Sequence, residues 1–227
     1  MPVSRRITLA ARPVGFPQES DFALDEVDVG APETGEVLVR VLWASVDPYQ
    51  RGRMSEARSY AKSLEVGDVV TSVNLGEVVE SNDPRFSPGD LVVGQLGWQE
   101  YATARAGTLR PVPPVLEPPT LALHTVGLTG FTAYFGLFDV GKPRPGDTVV
   151  VSSAAGAVGQ IAGQLAKLAG CRTVGIAGGP EKARDLTEVY GYDMAIDYKS
   201  DDVREALRNE RVDVYFDNVG GGISHAV

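Results

Sequence analysis

The stretch Val149–Gly159, VVVSSAAGAVG, decides the reading of this chain. A run of β-branched residues with no polar alternation suits a parallel strand buried on both faces. It ends in a turn of small residues, and an amphipathic helix opens directly after it. Val158, Ile161, Ala162, Leu165, Leu168 and Ala169 recur at three- and four-residue steps, with Gly170 placed to cap the helix end. Strand, glycine turn and helix together make a dinucleotide-binding arrangement. The turn reads Ala154-x-Gly156-x-x-Gly159, with alanine in the first of the three glycine places. Backbone must come close to a pyrophosphate there, and the helix N-terminus turns N–H groups and partial positive charge toward it. Taken alone the motif is weak, because small residues between a buried strand and a helix also serve packing.

Working outward, the chain after the turn alternates as a doubly wound fold requires. Strands are predicted at 172–177, 194–198 and 212–218, with helices at 180–190 and 201–209. Right-handed crossovers place the four parallel strands in the order 3-2-1-4. Before the turn, LALHTVGLTGFTAYFGLFDVG is apolar nearly all round, and Gly127 and Gly130 predict a break between two short helices. Earlier still, PVPPVLEPP at 111–119 reads as a stiff linker. From 6 to 110 the pattern is short β-rich runs cut by turns, a small β-barrel in expectation. The expected division is 1–119 for the β-rich domain and 120–227 for the nucleotide domain.

Bulk composition narrows the function. With 21 basic and 30 acidic residues the formal charge is −9, and no basic cluster offers itself to nucleic acid or an anionic membrane. One cysteine, Cys171, and two histidines, His124 and His225, make a protein-bound metal an unlikely design for this sequence. No segment is long and apolar enough for a membrane span, so the expected setting is cytoplasmic.

The residues after the second nucleotide-domain strand choose the cofactor. An NAD site places an acidic side chain about twenty residues past the turn to hold the ribose 2′-OH. Here the region reads Ala177-Gly178-Gly179-Pro180-Glu181-Lys182, without a carboxylate at the strand tip and with a lysine close behind it. Charge complementarity favours a 2′-phosphate, hence NADP(H). The alternative for Lys182 is a solvated lysine at a helix start, and Glu181 beside it weighs on that side.

At this point the sequence resembles the zinc-independent medium-chain dehydrogenase/reductases, and within them the leukotriene B4 dehydrogenase, or prostaglandin and alkenal reductase, group with its curcumin-reductase-like members. The resemblance is carried by SVDPYQRGRM at 45–54, GLTGFTAYFGL at 127–137, AAGAVGQIAGQLAKLAGC at 154–171, the Glu181-Lys182 pair, DYKS at 197–200 and YFDNVGG at 215–221. It implies a GroES-like β-barrel domain followed by a partial Rossmann domain. It also implies NADP(H) held by Ala154, Gly156, Ala157, Val158 and Gly159 at the pyrophosphate, by Gly179, Lys182 and Tyr198 near the 2′-phosphate, and by Thr129 and Asn218 on the nicotinamide side. Two departures stand out: Gly179 replaces a hydroxyl residue common in the family, and Gln50 stands where Asp-Pro-Tyr-Met-Arg has methionine.

The reaction implied is reduction of the carbon–carbon double bond of an α,β-unsaturated ketone or aldehyde. Hydride adds to the β-carbon and an enolate oxygen develops that needs a hydrogen-bond donor, for which Tyr49 and Tyr60 are the candidates. The ligand cleft is expected between the β-rich domain and the nucleotide domain, lined by Tyr49, Thr129, Gly156 and Asn218. Quinone reduction by a sister group, and nucleotide binding without turnover by an incomplete chain, stay open as alternatives. The resemblance further implies about another hundred residues beyond 227 in the complete protein, and a possible homodimer there. A sheet of four strands, where the fold uses six, predicts an unpaired apolar edge at 212–217 with Val212, Val214 and Phe216 exposed.

Overall fold

The computed structural model describes residues 2–56 and 62–227, and it divides into two compact units, Met1–Leu123 and His124–Val227.

In the first unit, β1 (Val3–Leu9) and β2 (Phe22–Asp28) form an antiparallel ribbon. A five-stranded antiparallel sheet is built from β3 (Glu36–Ala44), β4 (Val73–Ser81), β5 (Leu91–Gln95), β6 (Tyr101–Arg105) and β7 (Arg110–Pro111) in the order β6-β3-β4-β5-β7. Isolated bridges from Arg6 to Gln99 and from Thr8 to Val69 join the ribbon to the rest. Buried Ser4 stitches β1 to β6, since its hydroxyl donates to the Tyr101 carbonyl and accepts from the Tyr101 amide. Alternate residues of β3, Val37 and Val39, meet Val78, Val92 and Phe86 in one core, while Leu9, Met54, Leu64 and Val70 make a second.

Between β3 and β4 runs α1 (Pro48–Arg53), which begins with proline in its first turn, where a missing N–H costs nothing. The Gln50 departure has a local reason. Its side chain is buried: Oε1 accepts from the Asp47 amide at 3.0 Å, and Nε2 donates to the carbonyls of Ser45 at 3.1 Å and Thr71 at 2.8 Å. The amide thus ties the start of α1 to the chain leading into β4, a job a methionine could not do.

The second unit is a parallel sheet of β8 (Thr148–Ser152), β9 (Arg172–Ala177), β10 (Met194–Asp197) and β11 (Val214–Phe216). Its order is β10-β9-β8-β11, the expected 3-2-1-4. Every residue of β8 is buried, and the strand period of two sends Val149 and Val151 to one face and Val150 to the other. The first face packs α2 (Leu128–Phe135), α3 (Gly159–Leu168) and α4 (Pro180–Glu188) through Ala133, Ile161, Ala162, Ala166 and Leu186. The second packs Val150, Val174, Ile176 and Ile196 against Val203 and Leu207, of which Val203 opens α5 (Val203–Ala206).

Two expectations need correction. The apolar segment before the sheet does hold two helical pieces, a 3-10 turn at Pro119–Ala122 and α2 beginning after Gly127, but Gly130 does not break the chain. Gly127 is the N-cap of α2, Gly130 lies inside it, and the helix runs on into a π-helical turn at Gly136–Gly141. Gly130 serves close approach, since a Cβ there would lie 1.8 Å from the Thr125 carbonyl oxygen. The strand edge differs too. Within the sheet β11 pairs with β8, but Val212, Val214 and Phe216 are half-buried rather than exposed. Phe216 lies against Gly136, and Ile223 and Ala226 of the C-terminal α6 (Gly221–Ala226) pack with Val227 on the opposite face. The faces of the edge strand are covered even though its outer hydrogen-bonding row is not paired within the sheet.

Candidate cofactor-binding groove

The site is built at the carboxyl ends of β8, β9 and β10. β8 ends at Ser152, and Ser153 turns the chain by adopting the left-handed region at φ 47°, which a non-glycine residue takes only when its surroundings impose it. The Ala154 amide donates to the Ile176 carbonyl at 3.0 Å and the Gly156 amide to the Ser153 carbonyl at 2.9 Å, which closes the turn. α3 then starts at Gly159, with its N-terminus facing the turn. The third glycine is obligatory: a Cβ on Gly159 would lie 2.3 Å from the Ser153 carbonyl oxygen and 2.7 Å from Ala154 Cα.

A groove of about 210 Å³ opens beside this turn. Gly156 and Ser153 line it from the turn, Gly178 from the tip of β9, Lys182 from α4, and Tyr198 and Lys199 from the segment after β10. The Tyr198 ring lies so close to Gly178 that a Cβ there would be 2.7 Å from its hydroxyl oxygen. Three of the sequence-derived residues, Gly156, Lys182 and Tyr198, are therefore brought to one cavity.

Buried Asp197 fixes the geometry of that end. Its Oδ1 accepts from the Gly179 amide at 2.7 Å and the Lys199 amide at 3.0 Å, tying the β9 tip to the turn after β10. Those two N–H groups, the Gly179 one foremost, hold the carboxyl below the usual carboxylate range. Gly179 itself has φ 101°, a backbone conformation that favours glycine.

A second carboxylate organises the end of β11. Asp217 Oδ1 accepts from the amides of Gly220 and Val219, from Ser152 Oγ and from Tyr215 Oη, all within 2.9–3.0 Å. The Gly220 and Val219 amides hold it well below the ordinary range. For both Asp197 and Asp217 the folded pKa lies under the unfolded one, so their contribution is complete above roughly pH 5 and is lost progressively as pH falls through about 4 and below. The unfolding midpoint of the second unit should hold steady from pH 7 to about 5 and drop below about 4. Replacing Asp217 by Asn should flatten part of that acid limb in a pH series of denaturant melts. A midpoint unchanged between about pH 5 and 2 would contradict the account.

The remaining sequence-derived residues lie elsewhere or are turned away. Ala154 is fully buried and Val158 is half-buried against the core of the first face, so both pack rather than line the groove; Ala157 is exposed on the turn. Thr129, nearly buried, donates its hydroxyl to the His124 carbonyl at 3.0 Å. Asn218 donates Nδ2 to the Ser152 carbonyl at 2.9 Å, while its amide donates to Ser152 Oγ at 2.8 Å. Neither Thr129 nor Asn218 lines the cavity that holds Lys182. Tyr49 is half-buried on α1 of the first unit, and Tyr60 lies outside the described residues. Lys199, Ser153 and Asp197 were not singled out from sequence; Asp197 and Lys199 flank Tyr198 directly, which was the available signal.

No group of three or more His, Cys, Asp or Glu among the described residues is placed to hold a metal. Cys171 is buried before β9, with its thiol donating toward the Arg144 carbonyl at 3.4 Å, and burial pushes the thiol pKa up. That environment opposes the thiolate a zinc site needs. Nor is any helix among the described residues long and apolar enough to cross a membrane.

Two family models match: the N-terminal domain of oxidoreductase over residues 5–112, and zinc-binding dehydrogenase over residues 157–226. The donor set just described does not fit the metal in the second description. The chain is 44% identical over 227 residues to an NADPH-dependent curcumin reductase of Escherichia coli (strain K12), covering 99% of this chain and 66% of that protein. It is 39% identical to a 2-alkenal reductase (NADP(+)-dependent) of Nicotiana tabacum, covering 99% of this chain and 68% of the relative. The crystal structure of CurA in complex with NADPH from Vibrio vulnificus superposes with a TM-score of 0.93 at 43% identity, over 98% of this chain and 67% of that one. The chain thus spans about two thirds of the length of the relatives it matches. With both units, the 3-2-1-4 sheet and the glycine turn in agreement, the chain belongs to the zinc-independent medium-chain dehydrogenase/reductases, in the branch of the curcumin and alkenal reductases.

Proposed function

We propose that the protein binds NADP(H) and reduces the carbon–carbon double bond of α,β-unsaturated ketones or aldehydes. The observation that carries the reading is the groove beside the glycine turn, which Lys182 and Tyr198 both line and whose lining contains no Asp or Glu. The names of the relatives, a curcumin reductase and a 2-alkenal reductase, support the substrate class.

The residues present fit the cofactor. Backbone at Gly156–Gly159 is bare enough to approach a pyrophosphate, and the N-terminus of α3 favours its charge. Lys182 and the Tyr198 phenol suit a 2′-phosphate. The cofactor, when bound, supplies the hydride. What the chain contributes is orientation of the two reactants and a hydrogen bond to the oxygen of the developing enolate, which we assign to Tyr49 or Tyr60. The same proposal includes a small-molecule enone or enal as partner, a cytoplasmic setting in keeping with the net charge of −9, and a homodimer in the complete protein.

Calorimetric titration with NADPH, followed by loss of nicotinamide absorbance on adding an alkenal, tests the proposal. Binding without turnover would leave a nucleotide-binding protein, and faster loss with a quinone than with an enal would move the assignment to quinone reduction. Changing Lys182 to Glu should weaken NADPH by about 1–3 kcal/mol, the range for a lost charge-assisted hydrogen bond, and leave NADH nearly unchanged. Equal losses for the two cofactors would remove the argument for the phosphate.

A further inference from the structure

Lys182 is not the only cation on the groove. Lys199 lines the same cavity, one residue past Tyr198. Its backbone is fixed in place. The Lys199 amide donates to Asp197 Oδ1 at 3.0 Å, the Ser200 amide to the Asp197 carbonyl at 3.0 Å, the Asp201 amide to the same carbonyl at 2.8 Å, and the Asp197 amide to Asp201 Oδ2 at 3.0 Å. The turn is a closed knot of hydrogen bonds, and through Asp197 it is bonded to the Gly179 amide at the β9 tip. Lys199 and the glycine tip are therefore held as one piece around the cavity.

The acidic groups near this knot are already engaged. Asp197 Oδ1 accepts the two amides just named, and Asp201 accepts from the Asp197 amide and from Ser200 Oγ. Asp202 caps α5 by accepting from the Glu205 amide. Lys167 pairs with Asp193, whereas among the described residues neither Lys182 nor Lys199 is in an ion pair. Two ammonium groups, neither within ion-pair distance of a carboxylate among the described residues although Lys199 acts on Asp197 at longer range, thus border one cavity of about 210 Å³ that also carries a tyrosine. A single 2′-hydroxyl needs no such charge, while a phosphate dianion has three acceptor oxygens to share between them.

We propose that Lys199 is a second specificity-determining residue for the cofactor, sharing the 2′-phosphate with Lys182 across the cavity that both line. This rests on the NADP(H) reading of the groove. The turn knotted at Asp197 presents Lys199 at no further ordering cost to the backbone.

The test uses fragments that differ only in the phosphate: 2′,5′-ADP and 5′-AMP, titrated calorimetrically into the wild-type protein and into Lys199→Met and Lys199→Arg. Lys199→Met should bind 2′,5′-ADP roughly tenfold more weakly, the lower end for a charge-assisted hydrogen bond at an exposed site, and 5′-AMP as the wild type does. Lys199→Arg should recover most of the loss. If Lys199→Met holds 2′,5′-ADP as tightly as the wild type while Lys182→Met does not, the role of Lys199 is overturned and the cofactor reading stands. A wild-type protein that binds the two fragments equally overturns both. The Arg variant separates charge from fold, because a merely structural lysine would not regain phosphate preference on that change.

Discussion

Gly163→Ala is expected to destabilise the second unit by about 1–3 kcal/mol, although alanine is the better helix former. Gly163 sits inside α3, where a glycine forfeits about 1 kcal/mol relative to alanine on propensity alone. The reason it is there is the Tyr192 ring. A Cβ on Gly163 would lie 2.0 Å from Tyr192 Cζ, 2.2 Å from Oη and 2.4 Å from Cε2, distances no real contact shows. The ring cannot swing aside, because Tyr192 is 4% exposed and its hydroxyl donates to the Gly159 carbonyl at 2.7 Å. Burial drives the phenol pKa up, so the group stays a neutral donor. Its other side meets β9, where a Cβ on Gly175 would be 3.0 Å from Tyr192 Cδ1. Overpacking at 1–3 kcal/mol, together with a lost hydrogen bond of about 1 kcal/mol, therefore outweighs the propensity gain. Denaturant melts read this directly. In a Tyr192→Leu background the same substitution should cost less than about 0.5 kcal/mol, because the clash is gone. An unchanged midpoint for Gly163→Ala alone would show that the ring has room.

That pair shows why part of the fold was legible in the sequence and part was not. β8 could be read because a run of β-branched residues has few other places to go, and α3 because its apolar positions repeat at the helical period and end at Gly170. Both signals are local. The glycines inside α2 and α3 carry no local signal of their purpose, since Gly130 answers to the Thr125 carbonyl and Gly163 to a tyrosine twenty-nine residues on. Read as helix breakers, the glycines of the α2 segment marked the helix start at Gly127 correctly, but Gly130 lies inside the helix. At the edge strand, pairing could be counted from the number of strands, but the cover that Gly136 and α6 give to its faces depends on packing that no pattern announces. The site behaved in the same way. Motif spacing identified the turn, Lys182 and Tyr198, which share the cavity, but it does not say which way a side chain points. Ala154 and Val158 face the core, and Thr129 and Asn218 donate to neighbouring carbonyls. Lys199 was hidden by the opposite effect: a lysine in a polar turn looks like any surface lysine until the fold puts it on the cavity that Lys182 also lines.

Gly159→Ala is expected to weaken NADPH binding by at least about a hundredfold and to cost the second unit about 2–4 kcal/mol in the absence of cofactor. The three closest atoms to the added Cβ are all backbone: the Ser153 carbonyl oxygen at 2.3 Å, Ala154 Cα at 2.7 Å and the Ala154 carbonyl carbon at 2.9 Å. No rotamer change relieves such a contact, so α3 and the turn must separate. The turn has little freedom to give. Ser153 is already in the left-handed region, and the Ala154 amide is bonded to β9 through the Ile176 carbonyl. Pushing α3 away also pulls the Gly159 carbonyl from Tyr192 Oη, the bond that anchors the helix start. Gly156→Ala is the informative companion. Its Cβ would meet Ser153 Oγ and the Ser153 carbonyl oxygen, both at 3.0 Å, contacts that a hydroxyl rotation and a few tenths of an ångström can ease. That variant should therefore melt within about 1 kcal/mol of the wild type while still filling space on the groove wall. Calorimetric titration with NADPH and parallel melts without it separate the two effects. Loss of binding in Gly156→Ala at nearly full stability assigns the groove to the cofactor independently of folding. Gly159→Ala binding NADPH as the wild type does would mean that the turn is not where the pyrophosphate sits.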